Sequence, residues 1–228
     1  MMNAVQPGFE NAFGALRQFV RRRKDVERCE LCSADVGADH PHLIELEKRK
    51  LLCACNACAI LFSGMGTKYK RVPRRVLALP DFHLTDGQWE SLMVPISMAF
   101  FFRSTPDGRV IAFYPSPAGA TESLLPLETW KDLEDANPVL REMGADVEAL
   151  LVNRVGHVRG VAAPEYYVLP IDECYKLVGL IRSHWRGLSG GAEVWQEIGR
   201  FFEELKQRAA VVTEETEQEK PASGEANA

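Results

Sequence analysis

A chain of 228 residues with 46% hydrophobic content is long enough for one medium-sized core and a small module beside it. No run approaches eighteen uninterrupted apolar residues and no signal-peptide pattern opens the chain, so neither a membrane span nor export is expected, and the reading is cytoplasmic. The net charge of −5 conceals an asymmetry: residues 1–76 carry fourteen Lys and Arg against eight Asp and Glu, the remainder thirteen against twenty-four, so the two parts face different partners or each other.

Phe9, Phe13, Leu16 and Val20 recur at three- and four-residue steps, which predicts an amphipathic helix over Pro7–Lys24. The run Arg21–Lys24 ends it, where cations offset the helix dipole and no nucleic acid is needed to explain them.

Five of the six cysteines then fall between Cys29 and Cys58. Cys29-x-x-Cys32 and Cys55-x-x-Cys58 are two knuckles separated by twenty-two residues, the spacing of a tetrahedral thiolate site. Between them His42–Glu47 alternates in polarity, Lys48–Lys50 supplies a charged turn, and Leu51–Cys53 returns, which predicts a hairpin folding one knuckle onto the other. A helical turn at Asn56–Phe62 favours a treble clef over a zinc ribbon, with its first amides close to the thiolates of Cys55 and Cys58. Cys29, Cys32, Cys55 and Cys58 are therefore the candidate metal ligands, and zinc is the expected ion. Four thiolates leave no position for water, so its role is structural.

Cys53 is a fifth thiol in this stretch, and His40 and His42 stand at the start of the hairpin. Cys53 is expected to point to the face opposite the thiolates and pack as a small apolar side chain. The alternative is a spare ligand that permits ligand exchange, metal transfer or iron–sulfur chemistry.

Gly64–Lys68 breaks the chain but lacks the frame of a phosphate loop. Lys68, Lys70, Arg71, Arg74 and Arg75 follow as a basic connector whose one aromatic, Tyr69, is too few for a base-stacking platform. Beyond it the pattern is mixed. Val76–Leu79 is a short strand, and Asp86–Met93 a short helix with Trp89 and Leu92 inward. Ser97–Arg103 and Arg109–Pro115 flank a Pro-Asp-Gly turn, which predicts a hairpin at the centre of the sheet. The Pro/Gly-rich stretch Pro115–Ser123 reads as a connector, and is the one loop to inspect for a ligand. Leu127–Met143 is helical with a break at Pro138, Val147–Val155 is a strand, and Tyr166–Leu169 is a short edge.

Two helices close the fold: one opened by Pro170 with a stripe from Ile171 through Cys174 to Trp185, the other with a stripe from Val194 to Leu205. Cys174 on the buried stripe is expected to be inert. The chain thus divides into an N-terminal helix (1–27), a zinc-binding module (28–66), a connector (67–76), an α+β domain with a mainly antiparallel sheet (77–210) and an acidic tail (211–228) too polar to order itself.

No nucleophile elbow, zinc-protease helix or other catalytic motif is present, so no enzyme is expected. The two knuckles with His40 and His42 superficially resemble the frame of HNH nucleases, but only twelve residues separate His42 from Cys55, too few for that fold. A broader resemblance, covering roughly residues 8–208, rests on C-E-L-C, H-P-H-L, L-L-C-A-C-N-A-C-A-I-L-F, A-F-Y-P-S-P-A-G-A-T-E-S, D-V-E-A-L-L-V and P-I-D-E-C-Y-K-L-V-G-L-I-R-S-H-W-R-G-L-S-G-G. In these the chain resembles an uncharacterised bacterial family associated with gene clusters for high-affinity, oxygen-tolerant nickel–iron hydrogenases. The resemblance implies an accessory role in hydrogenase assembly, maturation or electron transfer, with a hydrogenase subunit or maturation factor as partner, and it carries over no catalytic residue. Some hydrogenase accessory proteins are similar to rubredoxin, whose knuckles place Gly after the second Cys. Ser33 and Ala59 stand there in this chain, which leaves iron as the alternative to zinc. A nucleic-acid-binding zinc ribbon is the remaining alternative, opposed by the acidic larger domain.

Overall fold

The computed structural model describes residues 27–64, 66–123 and 127–213. The helix expected over residues 7–24 and the tail beyond residue 213 lie outside them.

The longest apolar strand decides the architecture. β5 (Met98–Ser104) is buried along almost its whole length, which requires cover on both faces. It forms the expected hairpin with β6 (Arg109–Ser116), where Gly108 takes the positive φ of +61° that the turn demands. Together with β4 (Leu77–Ala78), β7 (Gly119–Ser123), β8 (Glu148–Asn153), β9 (Glu165–Pro170) and β10 (Ala210–Val211) they make a sheet in the order β10-β4-β9-β8-β5-β6-β7 among the described residues. All neighbours are antiparallel except β10 and β4.

Alternation along these strands splits the core into two layers. Met98, Phe100, Phe102, Ile111, Phe113, Ala149, Leu151, Tyr167 and Leu169 face α5 (Ile171–His184) and α6 (Gly191–Arg208), which contribute Cys174, Leu177, Ile181, Val194, Ile198, Phe201 and Leu205. Ala99, Phe101, Val110, Ala112, Leu150, Val152, Tyr166 and Val168 face the other way, onto Trp89 of α2 (Asp86–Ser91), Trp130 and Leu133 of α3 (Leu127–Ala136), and Leu140 of the 3-10 turn Pro138–Glu142. Each strand therefore serves two cores with period two, and its sequence reads as one continuous apolar run. The helix break expected at Pro138 falls there.

Three placements differ from the sequence reading. The central strand is β8, and the β5–β6 hairpin lies to one side of it, because β7 is the only strand that adds beyond β6 among the described residues. Tyr166–Leu169 belongs to β9, an interior strand paired with both β8 and β4. Pro115–Ser123 is a tight hairpin, with Pro115 paired to Ala120 and Ser116 to Gly119, whose φ is +128°. The Ser116 hydroxyl donates to the Gly119 carbonyl at 2.9 Å and closes the turn. A short helix, α4 (Val155–Val158), fills the β8–β9 connection.

The cysteine-rich part forms its own small sheet from β1 (His42–Glu45), β2 (Lys50–Cys53) and β3 (Tyr69–Arg71), in the order β2-β1-β3. β3 comes from the stretch read as a connector. Charge hid it: Tyr69-Lys70-Arg71 is a strand because Ile44 and Leu43 lie opposite Lys70 and Arg71 in register, not because it is apolar. From β3 the chain enters the main core through Val72 and Val76.

Between them Arg75 grips the sheet. Its Nε lies 2.5 Å and its Nη2 2.7 Å from the two carboxylate oxygens of Glu148, whose side chain is 3% exposed and also accepts the Gly144 N–H. The two partners differ in solvation, since Arg75 is 49% exposed. Arg75→Ala strands a buried carboxylate and is expected to cost about 3–5 kcal/mol in urea unfolding. Glu148→Ala leaves an arginine that turns to water and is expected to cost only about 1–2 kcal/mol. Equal losses would show that the pair does not act through charge.

Candidate metal centre

Four local devices bring the thiols of the two knuckles together. In the first knuckle the Ser33 N–H closes on the Cys29 carbonyl at 2.8 Å and the Cys29 N–H on the Ala34 carbonyl at 2.8 Å. Ser33 takes a φ of +63°, the left-handed conformation that explains why Gly is usual at this place in such knuckles. The knuckle is then tied to the hairpin: the Glu30 N–H donates to the Cys53 carbonyl at 2.8 Å, and the Glu30 carboxylate accepts from the Cys53 N–H at 2.8 Å. The hairpin register, with His42 opposite Cys53 and Leu43 opposite Leu52, carries the chain back. Finally α1 (Asn56–Phe62) starts at the second knuckle, with Cys55 as its N-cap accepting the Cys58 N–H on Sγ at 3.4 Å.

The result is a group of Cys29, Cys32, Cys55 and Cys58 whose sulfurs all lie within 4.8 Å of one another. Cys29 and Cys58 are buried, in a small core with Leu43, Leu52, Ala54 and Ala59. Cys32 Sγ and Cys55 Sγ are 3.7 Å apart. A disulfide would bring sulfurs to about 2.05 Å, whereas a zinc tetrahedron with bonds near 2.3 Å has edges of about 3.8 Å. The cluster is thus spaced for an ion, and all six cysteines are free thiols.

Its protonation is uneven. Burial opposes ionisation of Cys29, but hydrogen bonds from the backbone of Cys55, Leu31 and Cys32 outweigh it and bring the thiol down to about 6. Burial, and then hydrogen bonding with the Cys32 and Cys55 sulfurs, pushes Cys58 up to about 12. One proton site is therefore ready to give way at neutral pH and another is not. A divalent ion reverses that preference, because coordinated thiols ionise outright.

Cys53 stands apart from these four. It lies with His40 and His42, the donor atoms of the three being within 4.8 Å of one another, on the other side of the hairpin. The filler role expected for it does not describe this setting. His42 Nδ1 is 2.6 Å from Asp172 Oδ2 in the first turn of α5, and this hydrogen bond, against the effect of burial, raises the imidazole pKa. Asp172 is 130 residues away and was invisible to motif reading; in sequence it is an ordinary acid behind a helix-opening proline. Cys174 is fully buried among apolar side chains, and burial holds its thiol protonated.

Most of the described basic residues of the module and connector are engaged with carboxylates. Arg49 reaches Asp107 at 2.9 Å and Glu122 at 3.5 Å, Lys70 reaches Asp146 at 2.6 Å, and Arg75 reaches Glu148, all across to the acidic domain. Within the module Lys50 pairs with Glu30, Lys48 and Lys68 with Glu45, and Arg74 with Asp39. Part of the chain's charge asymmetry is therefore an interface between its own described parts.

Cys58→Ser is expected to abolish tight binding of one ion per chain by elemental analysis and to loosen the hairpin, seen as faster amide exchange in β1 and β2. Because Cys58 is protonated when no ion is present, loading the stripped protein at neutral pH is expected to release protons into a weakly buffered solution. Loading without proton uptake or release would contradict four-thiolate coordination.

No helix among the described residues is long and apolar enough to cross a membrane. No curated protein and no solved structure matches the chain. The model of one family, DUF5947, described as a family of unknown function, matches residues 28–209, from the first knuckle to the end of α6. The match spans both the thiol cluster and the seven-stranded sheet except its edge strand β10, and the chain belongs to that family.

Proposed function

We propose that the protein is a non-enzymatic, zinc-binding accessory protein of treble-clef type that acts through protein–protein contacts, its partner being a subunit or maturation factor of a nickel–iron hydrogenase. The observation that carries the contact reading is on α1. That helix turns Cys58 and Ala59 into the thiol cluster while Ile60, Leu61 and Phe62 are 69%, 73% and 43% exposed. Three consecutive apolar side chains in water on a helix fixed at its start by metal ligands are the makings of a binding surface. A closed thiolate shell offers no open position for chemistry, so the ion's contribution is to hold this helix in place. The motif resemblance, running over both parts of the chain, supports hydrogenase assembly, maturation or electron transfer as the setting.

The ion pairing of Arg49, Lys50, Lys70, Arg74 and Arg75 argues against the nucleic-acid alternative, since each such cation already has a carboxylate partner. An iron carrier built on five thiols is likewise disfavoured, because Cys53 is not in the four-thiol group. Iron held by the four alone would show itself by colour.

The double substitution Ile60→Asp/Leu61→Asp is expected to abolish co-purification with hydrogenase components from a native host while leaving metal content and circular dichroism unchanged. Retained co-purification would remove α1 as the contact. If the native protein carries no hydrogenase component at all, the partner assignment fails, and visible absorbance of the anaerobic protein would replace zinc with iron.

A further inference from the structure

The side of the hairpin away from the four thiols carries three donors that they do not use. His42 and Cys53 are register partners across β1 and β2, so their side chains leave the hairpin together. His40 enters from the preceding loop, its ring edge-on to that of His42 with centroids 4.8 Å apart. The Nδ1 of His40 lies 2.7 Å from the Gly37 carbonyl, which can only accept, so the proton sits on Nδ1 and Nε2 keeps its lone pair. That Nε2 is buried with no hydrogen-bond partner, in a side chain only 6% exposed. His42 is oriented in the same manner, its Nδ1 held at 2.6 Å by Asp172, which leaves its Nε2 as the second lone pair. A carboxylate behind an imidazole is the usual support for a metal-binding histidine.

We propose that His40 Nε2, His42 Nε2 and Cys53 Sγ form a second metal site, which takes a late first-row divalent ion of the zinc type and keeps its fourth position open. One ring nitrogen of each histidine and Cys53 Sγ lie within 4.8 Å of one another, and the Nδ1 contacts to Gly37 and Asp172 leave Nε2 as the free nitrogen of each ring. The edge of a filled tetrahedron with these donors is roughly 3.5 Å, so an ion needs to draw them together by no more than roughly 1.3 Å. Two imidazoles and one thiolate select zinc, cobalt or nickel and reject magnesium and calcium, which demand oxygen.

The two sites differ in kind. Four thiolates surround a divalent ion with a net charge of −2 and no vacancy, whereas this set leaves a net charge of +1 and room for water, an anion or a donor from another molecule. His42 is 32% exposed and Cys53 half-buried, so an incoming ligand can reach the ion. Associative exchange needs that open position. The second site is therefore one for an ion that arrives and leaves, and it stands without the partner proposed above.

The test uses the full-length protein with its four-thiol site already filled with zinc, titrated anaerobically with Co²⁺. One further equivalent is expected, with ligand-field bands of a four-coordinate ion and a sulfur-to-cobalt charge-transfer band of single-thiolate intensity. Cys53→Ser is expected to remove the charge-transfer band, and His40→Ala to weaken the second equivalent by at least tenfold, with the zinc content of the first site unchanged in both. Should either variant fold poorly, Asp172→Asn keeps a hydrogen-bonding group beside His42 and is expected to weaken cobalt binding by about 10–100-fold. Absence of a second equivalent in the parent protein overturns the proposal, as does a charge-transfer band that survives in Cys53→Ser.

Discussion

Side-chain alternation along β1 is the constraint on which the two halves of this protein depend. Leu43 points into the small core beneath the four thiols, and Ile44 points into the main core between the sheet and its C-terminal helices. The pairing of Leu43 with Leu52 and Ile44 with Leu51 carries the same division into β2. A slip of one residue would exchange the faces, moving Cys53 toward the thiol cluster and Leu52 away from it. Hairpin register, more than any individual contact, therefore fixes where each donor goes, and the two cysteine knuckles that flank the hairpin in sequence are placed to hold that register.

The module is fastened to the sheet by unlike forces. Apolar burial of Ile44, Val72 and Val76 joins it to the main core, while Arg49, Lys70 and Arg75 reach Asp107, Asp146 and Glu148. Of these carboxylates Asp146 and Glu148 are nearly buried, with side chains 5% and 3% exposed, and they define orientation because a buried charge tolerates few arrangements of its partner. Asp107, a third exposed at 32%, contributes less. Among the described residues the cations of the module and the carboxylates of the sheet domain are complementary, so these ion pairs need no polyanionic ligand to explain them.

Much of this was legible in the chain. The Pro-Asp-Gly turn announced β5 and β6, Pro170 announced α5, and the paired knuckles with a hairpin between them announced the thiol cluster, because each signal is local. What sequence could not supply was set by pairing at a distance. β9 looked like an edge since its short apolar run has no local sign of being covered on both sides by β4 and β8. β3 was hidden by its charges, and Pro115–Ser123 looked like an open loop because proline and glycine mark turns of any length. Asp172 gave no signal at all: its meaning comes from His42, and the two meet only when the module docks on the start of α5.

The opposite faces of the hairpin also bear on how two ions would influence one another. An ion among Cys29, Cys32, Cys55 and Cys58 closes the ends of the hairpin, and a closed hairpin is what sets Cys53 beside His42. Filling the first site thus lowers the ordering cost of the second. Linkage makes the effect mutual in free energy, so an ion on His40, His42 and Cys53 strengthens the four-thiol site by the same factor. The kinetics need not match: the closed shell has no position for an incoming ligand and releases its ion slowly, while the open one exchanges. On the proposed reading, retention and exchange would be separated on a single hairpin, with the retained ion keeping the exchanging site in shape.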